Sequence, residues 1–200
     1  MKKILFLFLA ACFFFSCEKE TIVIPQQHAG RTVLAFFWAD NSLNSSLRDN
    51  IQTMMQGFQA MKDSAALLVY WDGEASDISW PEPCIVEYVT NGQGGINSLS
   101  KGTIDAMMAD KNTSIYDLIG IGNIRKKYPP QTSTEKTVMQ TVIGDMMSAY
   151  PSESYGIIFG SHGSGWLPTI TSTRSIGQDG GRYSSDTALI PVSYTHLTLP

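Results

Sequence analysis

The stretch TVLAFFWADNSLNSSLRDNIQTM, residues 32–54, contains a strand, a polar turn and the start of a helix in succession. Thr32–Ala39 is a continuous apolar, β-branched and aromatic run, which is typical of a strand buried on both faces. Asp40-Asn41-Ser42 ends that run, and apolar residues then recur at helical spacing from Leu43 to Lys62. The stretch therefore predicts a buried strand followed by an amphipathic helix.

The alternation of strand and helix continues towards the C-terminus. Further buried-strand runs cover Ser64–Tyr70, Cys84–Val89 and Ser154–Phe159. Helices are predicted at Ile104–Ala109, at Ile115–Ile121, and from a capping box at Thr132–Glu135 to Tyr150. Strands that alternate with helices imply βαβ crossovers, so we expect an α/β sandwich with a mostly parallel sheet covered on both faces.

Length and charge narrow the class of protein. The 200 residues are 43% hydrophobic and 16% charged, which suits one globular domain with its own core. The formal net charge is -4 and the pI is about 5.3, and the Lys and Arg residues form no cluster of the kind that neutralises phosphates. We therefore expect no nucleic-acid partner.

The N-terminus has the features of an export signal. Met1-Lys2-Lys3 followed by the apolar run Ile4–Phe15 is the charged start and short hydrophobic stretch of a secretory signal peptide. Ser16-Cys17 resembles the lipobox of bacterial lipoproteins, in which the cysteine is lipidated, although Phe14 stands where Leu is usual. The alternative is a plain secretory signal with an incidental cysteine. We expect an exported protein that is either lipid-anchored through Cys17 to the bacterial cell envelope, on its periplasmic side or its surface, or secreted.

The cysteines predict no disulfide framework. Of Cys12, Cys17 and Cys84, only Cys84 remains in the mature chain if the signal is removed and Cys17 is acylated. Cys84 lies at the head of an apolar run, so we expect a buried small hydrophobe rather than a catalytic thiol.

The C-terminal tail is expected to be foreign to the fold. Val192–Pro200, VSYTHLTLP, resembles the peptide obtained when a common transposon-library sequencing adaptor is translated in frame. We interpret residues 191–200 as a sequencing-adaptor artefact that interrupts the native chain near Ile190. The alternative is a genuine terminal strand. On this interpretation His196 is not a functional candidate.

The most informative loop follows the strand Ser154–Phe159 and has the sequence GSHGSGW, residues 160–166. It places His162 at the carboxyl end of a parallel sheet, where open α/β folds position reactive groups. Gly163 and Gly165 allow tight curvature and close approach of a substrate carbonyl to peptide N–H groups. Histidine suits proton transfer because its ordinary pKa is close to neutrality. Residue chemistry alone leaves two interpretations open, a catalytic imidazole or a structural connection.

The run YGIIFGSHGSGW, residues 155–166, preceded by Ala149-Tyr150-Pro151, is similar to the catalytic-histidine region of the clostripain family of cysteine peptidases, peptidase family C11 of clan CD. Residues 32–54 also resemble that family's first strand, its Asp-Asn-x-Leu turn at 40–43, and its first helix. The resemblance extends from Thr32 to about Ile190 and is weakest between Gln93 and Lys127.

The resemblance implies a caspase-like, three-layer α/β sandwich that is incomplete because the chain is truncated. It also implies endopeptidase activity after Arg or Lys through a Cys–His dyad. His162 would assist protonation of the leaving amine, and the Gly163 N–H would help to hold the oxyanion. The nucleophile belongs on the following strand, in an Asp-x-Cys-like segment that is absent here, so we expect the 200-residue chain to be inactive. The sequence requires no metal or cofactor, and calcium is an addition that only the resemblance suggests.

Other polar residues near this loop have two interpretations each. Arg174 and Arg182 lie in a Ser/Thr/Gly-rich stretch that we expect to be exposed and mobile, as sites of autoprocessing or as solvated surface residues. Asp40 and Asn41 either line the cleft beside His162 or, as we slightly prefer, form an Asx turn that caps the first helix. Asp179 is interpreted as a turn residue rather than as a calcium ligand.

The sequence thus predicts a signal in residues 1–17, a linker in 18–31 and a partial clostripain-like peptidase domain in 32–190. The expected partners are protein or peptide substrates and, through the lipid anchor, a membrane. The alternative function is a non-catalytic surface-binding lipoprotein on the same fold, which requires the complete gene to lack a cysteine on the strand after the His loop.

Overall fold

A computed structural model describes residues 29–61, 65–73, 82–162, 177–180 and 182–183. The strands, in chain order, are β1 (Ala29–Ala39), β2 (Ala65–Gly73), β3 (Cys84–Val89), β4 (Asn123–Lys127), β5 (Ser152–Gly160), β6 (Gln178–Asp179) and β7 (Arg182–Tyr183). The helices are α1 (Asn44–Gln59), α2 (Lys101–Ala109), α3 (Ile115–Gly120) and α4 (Lys136–Ala149). No helix in these ranges is both long enough and apolar enough to cross a membrane.

The main sheet has the strand order β4-β3-β2-β1-β5. β1 is central and pairs in parallel with β2 on one side and with β5 on the other. β3 is antiparallel to β2, and β4 is antiparallel to β3. Because two reversals restore the direction, β4 points the same way as β1, β2 and β5, and only β3 runs against them. The prediction of a mostly parallel sheet is therefore confirmed.

Helices cover both faces of this sheet, which gives three layers. Alternate residues of β1 point to opposite faces, as strand geometry requires. Phe37 and its same-face neighbours pack with α1, α2 and α3, whereas Phe36 and Trp38 pack with α4. Because both faces of β1 and β2 are buried, their sequences lack the polar alternation of a half-exposed strand.

Several element boundaries differ from the predictions. β1 begins at Ala29 rather than Thr32, so the last residues of the predicted linker belong to the sheet. α1 ends at Gln59, before the predicted end at Lys62. β4, with the sequence NIRKK, was not predicted, because it is a mostly exposed and charged edge strand with no apolar alternation.

The predicted capping box at residues 132–135 is wrong. α4 begins at Lys136, and its N-cap residue Glu135 makes no side-chain capping bond. Ser133 is fully buried and its hydroxyl is bonded to Asp72 on β2, so it is not used for capping. A capping box does occur at α3, where Ser114 and Asp117 bond reciprocally.

Candidate active site

The site lies at the sheet edge where β1, β2 and β5 end. In the parallel pair of β1 and β5, Phe37 is the partner of Gly160. β5 ends at Gly160, whereas β1 continues through Ala39. The turn after β1 therefore extends past the end of β5, to the level of the residues that follow Gly160.

His162 lies in this position and contacts the turn. Its Nε2 atom is 2.8 Å from the hydroxyl oxygen of Ser42. The imidazole is half-buried, and Ser42 is exposed. The structure thus places His162 beyond the carboxyl end of a parallel strand, where the sequence predicted it, and beside a serine that the sequence analysis did not single out.

Asn41 connects the two strand ends. Its side-chain amide donates to the carbonyl of Trp38 at 2.6 Å and to the hydroxyl of Ser161 at 3.3 Å. Its side-chain oxygen accepts from the backbone N–H of Leu43 at 2.9 Å, which forms the predicted Asx turn. The expectation that this turn caps the first helix is wrong, because the N-cap residue of α1 is Leu43 and no side chain caps it. The two interpretations of Asn41 are compatible, because the same side chain shapes the turn and contacts the residue before His162.

Asp40 faces a different neighbour from Asn41. Its backbone oxygen accepts from the N–H of Gly180 at 3.0 Å, in the short β6–β7 hairpin. A Cβ atom added at Gly180 would lie 3.1 Å from the Asp40 carboxylate, which places that carboxylate against the hairpin. The Asp40 carboxylate therefore lies near those of Asp72 and Asp179.

Three carboxylates, those of Asp40, Asp72 and Asp179, lie close together at the ends of β1, β2 and β6. Burial, followed by the negative charges of Asp179 and Asp40, raises the pKa of Asp72 to about 7, and a hydrogen bond from Ser133 acts in the opposite direction. Asp72 is only 5% exposed. It is therefore a carboxyl group that exchanges its proton near neutral pH.

Ser133 forms hydrogen bonds with two of these carboxylates and with two further side chains. Its backbone N–H donates to Asp179 at 2.6 Å, and its hydroxyl donates to Asp72. The Tyr70 hydroxyl lies 2.6 Å from the Ser133 hydroxyl, and the Trp38 indole donates to the Ser133 carbonyl at 2.7 Å. Burial and the nearby Asp72 charge also raise the pKa of Tyr70, so its phenol stays protonated. The hydrogen bonds of Ser133 therefore hold the loop before α4, the end of β2 and the β6–β7 hairpin together.

Sequence reasoning missed Asp72 and Ser133 as members of this edge. The predicted strand over residues 64–70 stops before Asp72, and Ser133 is predicted only as part of a helix cap. The available signal was the position of Asp72 at the end of a buried strand, where the ends of parallel strands converge. Nothing in the local sequence shows that Ser133, some sixty positions away, reaches it.

Cys84 is not placed to serve as the nucleophile. It pairs with Trp71 on β2, so β2 and β1 separate its strand from β5. Three strand spacings correspond to roughly 14 Å across the sheet. Its side chain is buried, and burial raises the pKa of its thiol to about 11. The prediction of a buried, non-catalytic Cys84 agrees with this placement.

The remaining predicted residues are described in part or not at all. Gly163, Arg174 and Cys17 lie outside the described residues. The backbone of Arg182 pairs with Asp179 in the β6–β7 hairpin, and Asp179 is buried. The exposure and mobility expected around Arg182 stay predictions.

Calcium, which only the resemblance suggests, would need several oxygen ligands around one position. Within residues 29–61, 65–73, 82–162, 177–180 and 182–183, no group of three His, Cys, Asp or Glu side chains is arranged to hold a metal ion. Asp72 and Asp179 at this edge each accept a hydrogen bond from Ser133. These side chains do not fit a calcium site.

Comparisons with known proteins agree with the described geometry. The sequence matches the clostripain family model, Peptidase_C11, over residues 35–189. A search of curated proteins found no match.

Solved structures share the fold. A secreted C11 cysteine protease from Bacteroides thetaiotaomicron, in complex with an irreversible peptide inhibitor, has a TM-score of 0.56 and 24% identity, and the match covers 82% of this chain and 39% of that one. The secreted C11 cysteine protease "iotapain" from the same organism has a TM-score of 0.58 and 15% identity, covering 85% and 43%. A clostripain from that organism, in complex with a peptide inhibitor, has a TM-score of 0.50 and 16% identity, covering 72% and 100%.

The chain thus spans about two fifths of the length of the first two structures. At these identities the likeness concerns the fold, which is the caspase-like α/β sandwich expected from the sequence.

Proposed function

The chain belongs to the clostripain family, and from this membership we propose that the protein is a cysteine endopeptidase in which His162 transfers the proton. The observation that carries the proposal is the position of His162 beyond the carboxyl end of β5, with its Nε2 atom 2.8 Å from Ser42. An imidazole held at this edge of a parallel sheet can reach a substrate bound across the strand ends.

The proposed reaction is acyl transfer. A cysteine thiolate attacks the carbonyl carbon of the scissile peptide bond, and the negative charge moves to the carbonyl oxygen. The backbone N–H of Gly163 donates to that oxygen. When the carbon–nitrogen bond breaks, His162 gives its proton to the leaving amine, and it then takes a proton from the water that hydrolyses the thioester.

We place the nucleophile on a cysteine downstream of Ile190. Cys84 is buried, its thiol pKa is raised to about 11, and two strands separate it from β5. A nucleophilic cysteine needs an accessible thiolate near neutral pH, which this environment opposes. On this proposal the 200-residue chain alone is inactive.

Cleavage after Arg or Lys is carried over from the resemblance to the family. Maturation by cleavage after Arg174 or Arg182 belongs to the same proposal. The two positions differ in one respect, because the backbone of Arg182 is paired with Asp179 and Asp179 is bonded to Ser133. A peptidase binds its substrate as an extended chain with free backbone groups, so cleavage after Arg182 requires that pairing to open first.

Export and lipid anchoring through Cys17 complete the proposal, and they rest on the signal-like residues 1–17. Calcium stays an expectation of the resemblance. The proposed reaction does not involve calcium. Among the described residues, the carboxylates do not form a calcium site.

The complete reading frame from genomic DNA provides the test. The encoded protein is expressed and assayed with peptides that carry Arg or Lys before the scissile bond, and with matched peptides that carry Gln or Met there. The proposal expects a cysteine on the strand after the His loop and cleavage of the basic peptides. A reading frame without that cysteine, and a protein that leaves all peptides intact, would instead support a non-catalytic binding lipoprotein.

A further inference from the structure

The Ser42 hydroxyl contacts one of the two ring nitrogens of His162, Nε2. We propose that Ser42 is a positioning residue: its hydroxyl oxygen accepts a hydrogen bond from Nε2–H of His162, so that Nδ1 is the nitrogen that exchanges the catalytic proton. The proposal rests on the proposed peptidase function and adds which nitrogen acts and which side chain assigns it. The observed separation of 2.8 Å between Ser42 Oγ and Nε2 is a normal hydrogen-bond distance.

The backbone explains why this serine reaches the ring. β1 runs two residues past the point where Phe37 pairs with Gly160, the last residue of β5. The turn then reverses, with the N–H of Asn41 bonded to the Ala39 carbonyl at 2.8 Å and the N–H of Asn44 bonded to the Asn41 carbonyl at 3.1 Å. Ser42 lies inside this closed turn, so its position is fixed by main-chain bonds.

The same turn also holds the residue before the histidine. Asn41 donates to the hydroxyl of Ser161 at 3.3 Å and to the carbonyl of Trp38 at 2.6 Å. Ser42 follows Asn41 and His162 follows Ser161, so one amide is adjacent to both members of the Ser42–His162 pair. The contact is therefore set between two anchored segments rather than between two free side chains.

A hydroxyl acceptor suits both charge states of the ring. Imidazolium carries a proton on each nitrogen, and neutral imidazole carries one on either nitrogen. If Nε2–H stays bonded to Ser42 throughout, the proton given to the leaving amine comes from Nδ1, and the lone pair left on Nδ1 takes the proton from the attacking water. With its oxygen accepting from Nε2–H, the exposed Ser42 hydroxyl is left to donate its own proton to solvent.

Nuclear magnetic resonance of the complete protein with ¹⁵N-labelled histidine tests the hydrogen bond independently of any activity. His162→Gln identifies the signals of His162. The wild type is expected to carry its neutral-state proton on Nε2, with hydrogen exchange slowed about tenfold or more relative to Ser42→Ala because a hydrogen-bonded proton is protected. Ser42→Thr keeps a hydroxyl and should retain the slow exchange. Ser45→Ala, an exposed serine of α1, is the matched control and should leave the signal unchanged.

Kinetics of the complete protein test the positioning role. Ser42→Ala is expected to lower kcat by roughly 10- to 100-fold with KM nearly unchanged, since a misaligned proton donor weakens the chemical step and not substrate binding. Ser42→Thr should recover most of kcat, and Ser45→Ala should have no effect.

Different results would contradict the peptidase proposal and the role of Ser42. A complete wild-type protein that cleaves no peptide contradicts the peptidase proposal, while the magnetic resonance result still decides the hydrogen bond. An active protein whose kcat is unchanged in Ser42→Ala, or a His162 proton located on Nδ1 and not on Nε2, overturns the role of Ser42 alone.

Discussion

Phe37 on β1 lies directly opposite Gly160 on β5, and its ring fills the space in which a side chain at position 160 would begin. A Cβ atom built on Gly160 would lie 2.5 Å from Cδ1 and 2.6 Å from Cε1 of Phe37, and 2.9 Å from a methyl carbon of Leu47. These separations are far below van der Waals contact, and both partners are buried. The strand that leads to His162 therefore ends at a position where any Cβ atom would collide with buried side chains unless they shift.

Gly160→Ala is expected to lower the free energy of unfolding by about 1–3 kcal/mol, because the new methyl group overpacks the core between β5 and α1. In the complete protein it should also lower kcat/KM, since His162 is two residues away. Urea unfolding followed by circular dichroism measures the first effect. Gly156→Ala is the matched control, because no atom lies within 4 Å of a Cβ at that glycine of the same strand. Equal stability of the two variants would contradict the packing argument.

Asp72 should make the protein less stable as the pH rises towards neutrality. Its folded-state pKa is raised from 3.8 to about 7, so between these values the folded protein holds a proton that the unfolded chain has released. Stability from this group is complete below about pH 4 and is lost as the pH rises through 7, on the order of 1 kcal/mol per pH unit inside that window.

Asp72→Asn should abolish this part of the pH dependence, because asparagine stays neutral and its oxygen can still accept from Ser133. The measurement is urea unfolding of both proteins between pH 4 and pH 8, with Asp105→Asn on the exposed face of α2 as the control. The stability of Asp72→Asn relative to wild type should rise with pH. A constant difference across the range would show that Asp72 is already charged at low pH.

Ser133→Ala is expected to destabilise the protein by about 1–3 kcal/mol at pH 7, because it leaves the buried oxygens of Asp72 and Tyr70 without the hydroxyl between them. Ser46→Ala, on the exposed face of α1, should be neutral or slightly stabilising. Thermal unfolding of the two variants makes the comparison. A loss no larger than that of Ser46→Ala would mean that the network does not depend on this serine.

Cys84 should be unreactive in the folded protein. With a thiol pKa of about 11, roughly one molecule in a thousand carries the thiolate at pH 8, and burial blocks the reagent as well. Iodoacetamide at pH 8, followed by mass spectrometry of the Cys84 peptide, should give modification only after unfolding in urea. Rapid alkylation of the folded chain would reopen the question of Cys84 as a nucleophile.

The fold was predictable wherever burial leaves a local signature. β1, β2 and α1 are apolar in the pattern that their environment demands, so their existence followed from the residues around Phe37 and Leu47. β4 was not predictable in this way, because Arg125 lies in a charged run. One guanidinium nitrogen of Arg125, Nη2, donates to both carboxylate oxygens of the fully buried Glu87, at 2.7 and 2.6 Å, and that contact between strands appears only once they are paired.

The residues of the candidate site also differ in whether the sequence could identify them. His162 could be named because a glycine-rich loop after a buried strand is a local pattern, and because that run resembles the catalytic-histidine region of the clostripain family. Ser42 and Ser133 could not, since each acts through a residue more than sixty positions away. A hydroxyl on an ordinary turn has no sequence feature that distinguishes it from a solvated serine.

The measurement that bears most directly on the account is kcat/KM of the complete protein with Arg- and Lys-containing peptides, compared between wild type, His162→Ala and His28→Ala. General acid–base catalysis by a positioned histidine contributes about 10²- to 10⁴-fold, so His162→Ala should lose at least about a hundredfold while His28→Ala retains wild-type activity. Circular dichroism of each protein establishes that it is folded. Equal activity of wild type and a folded His162→Ala would contradict the assignment of His162 as the residue that transfers the proton.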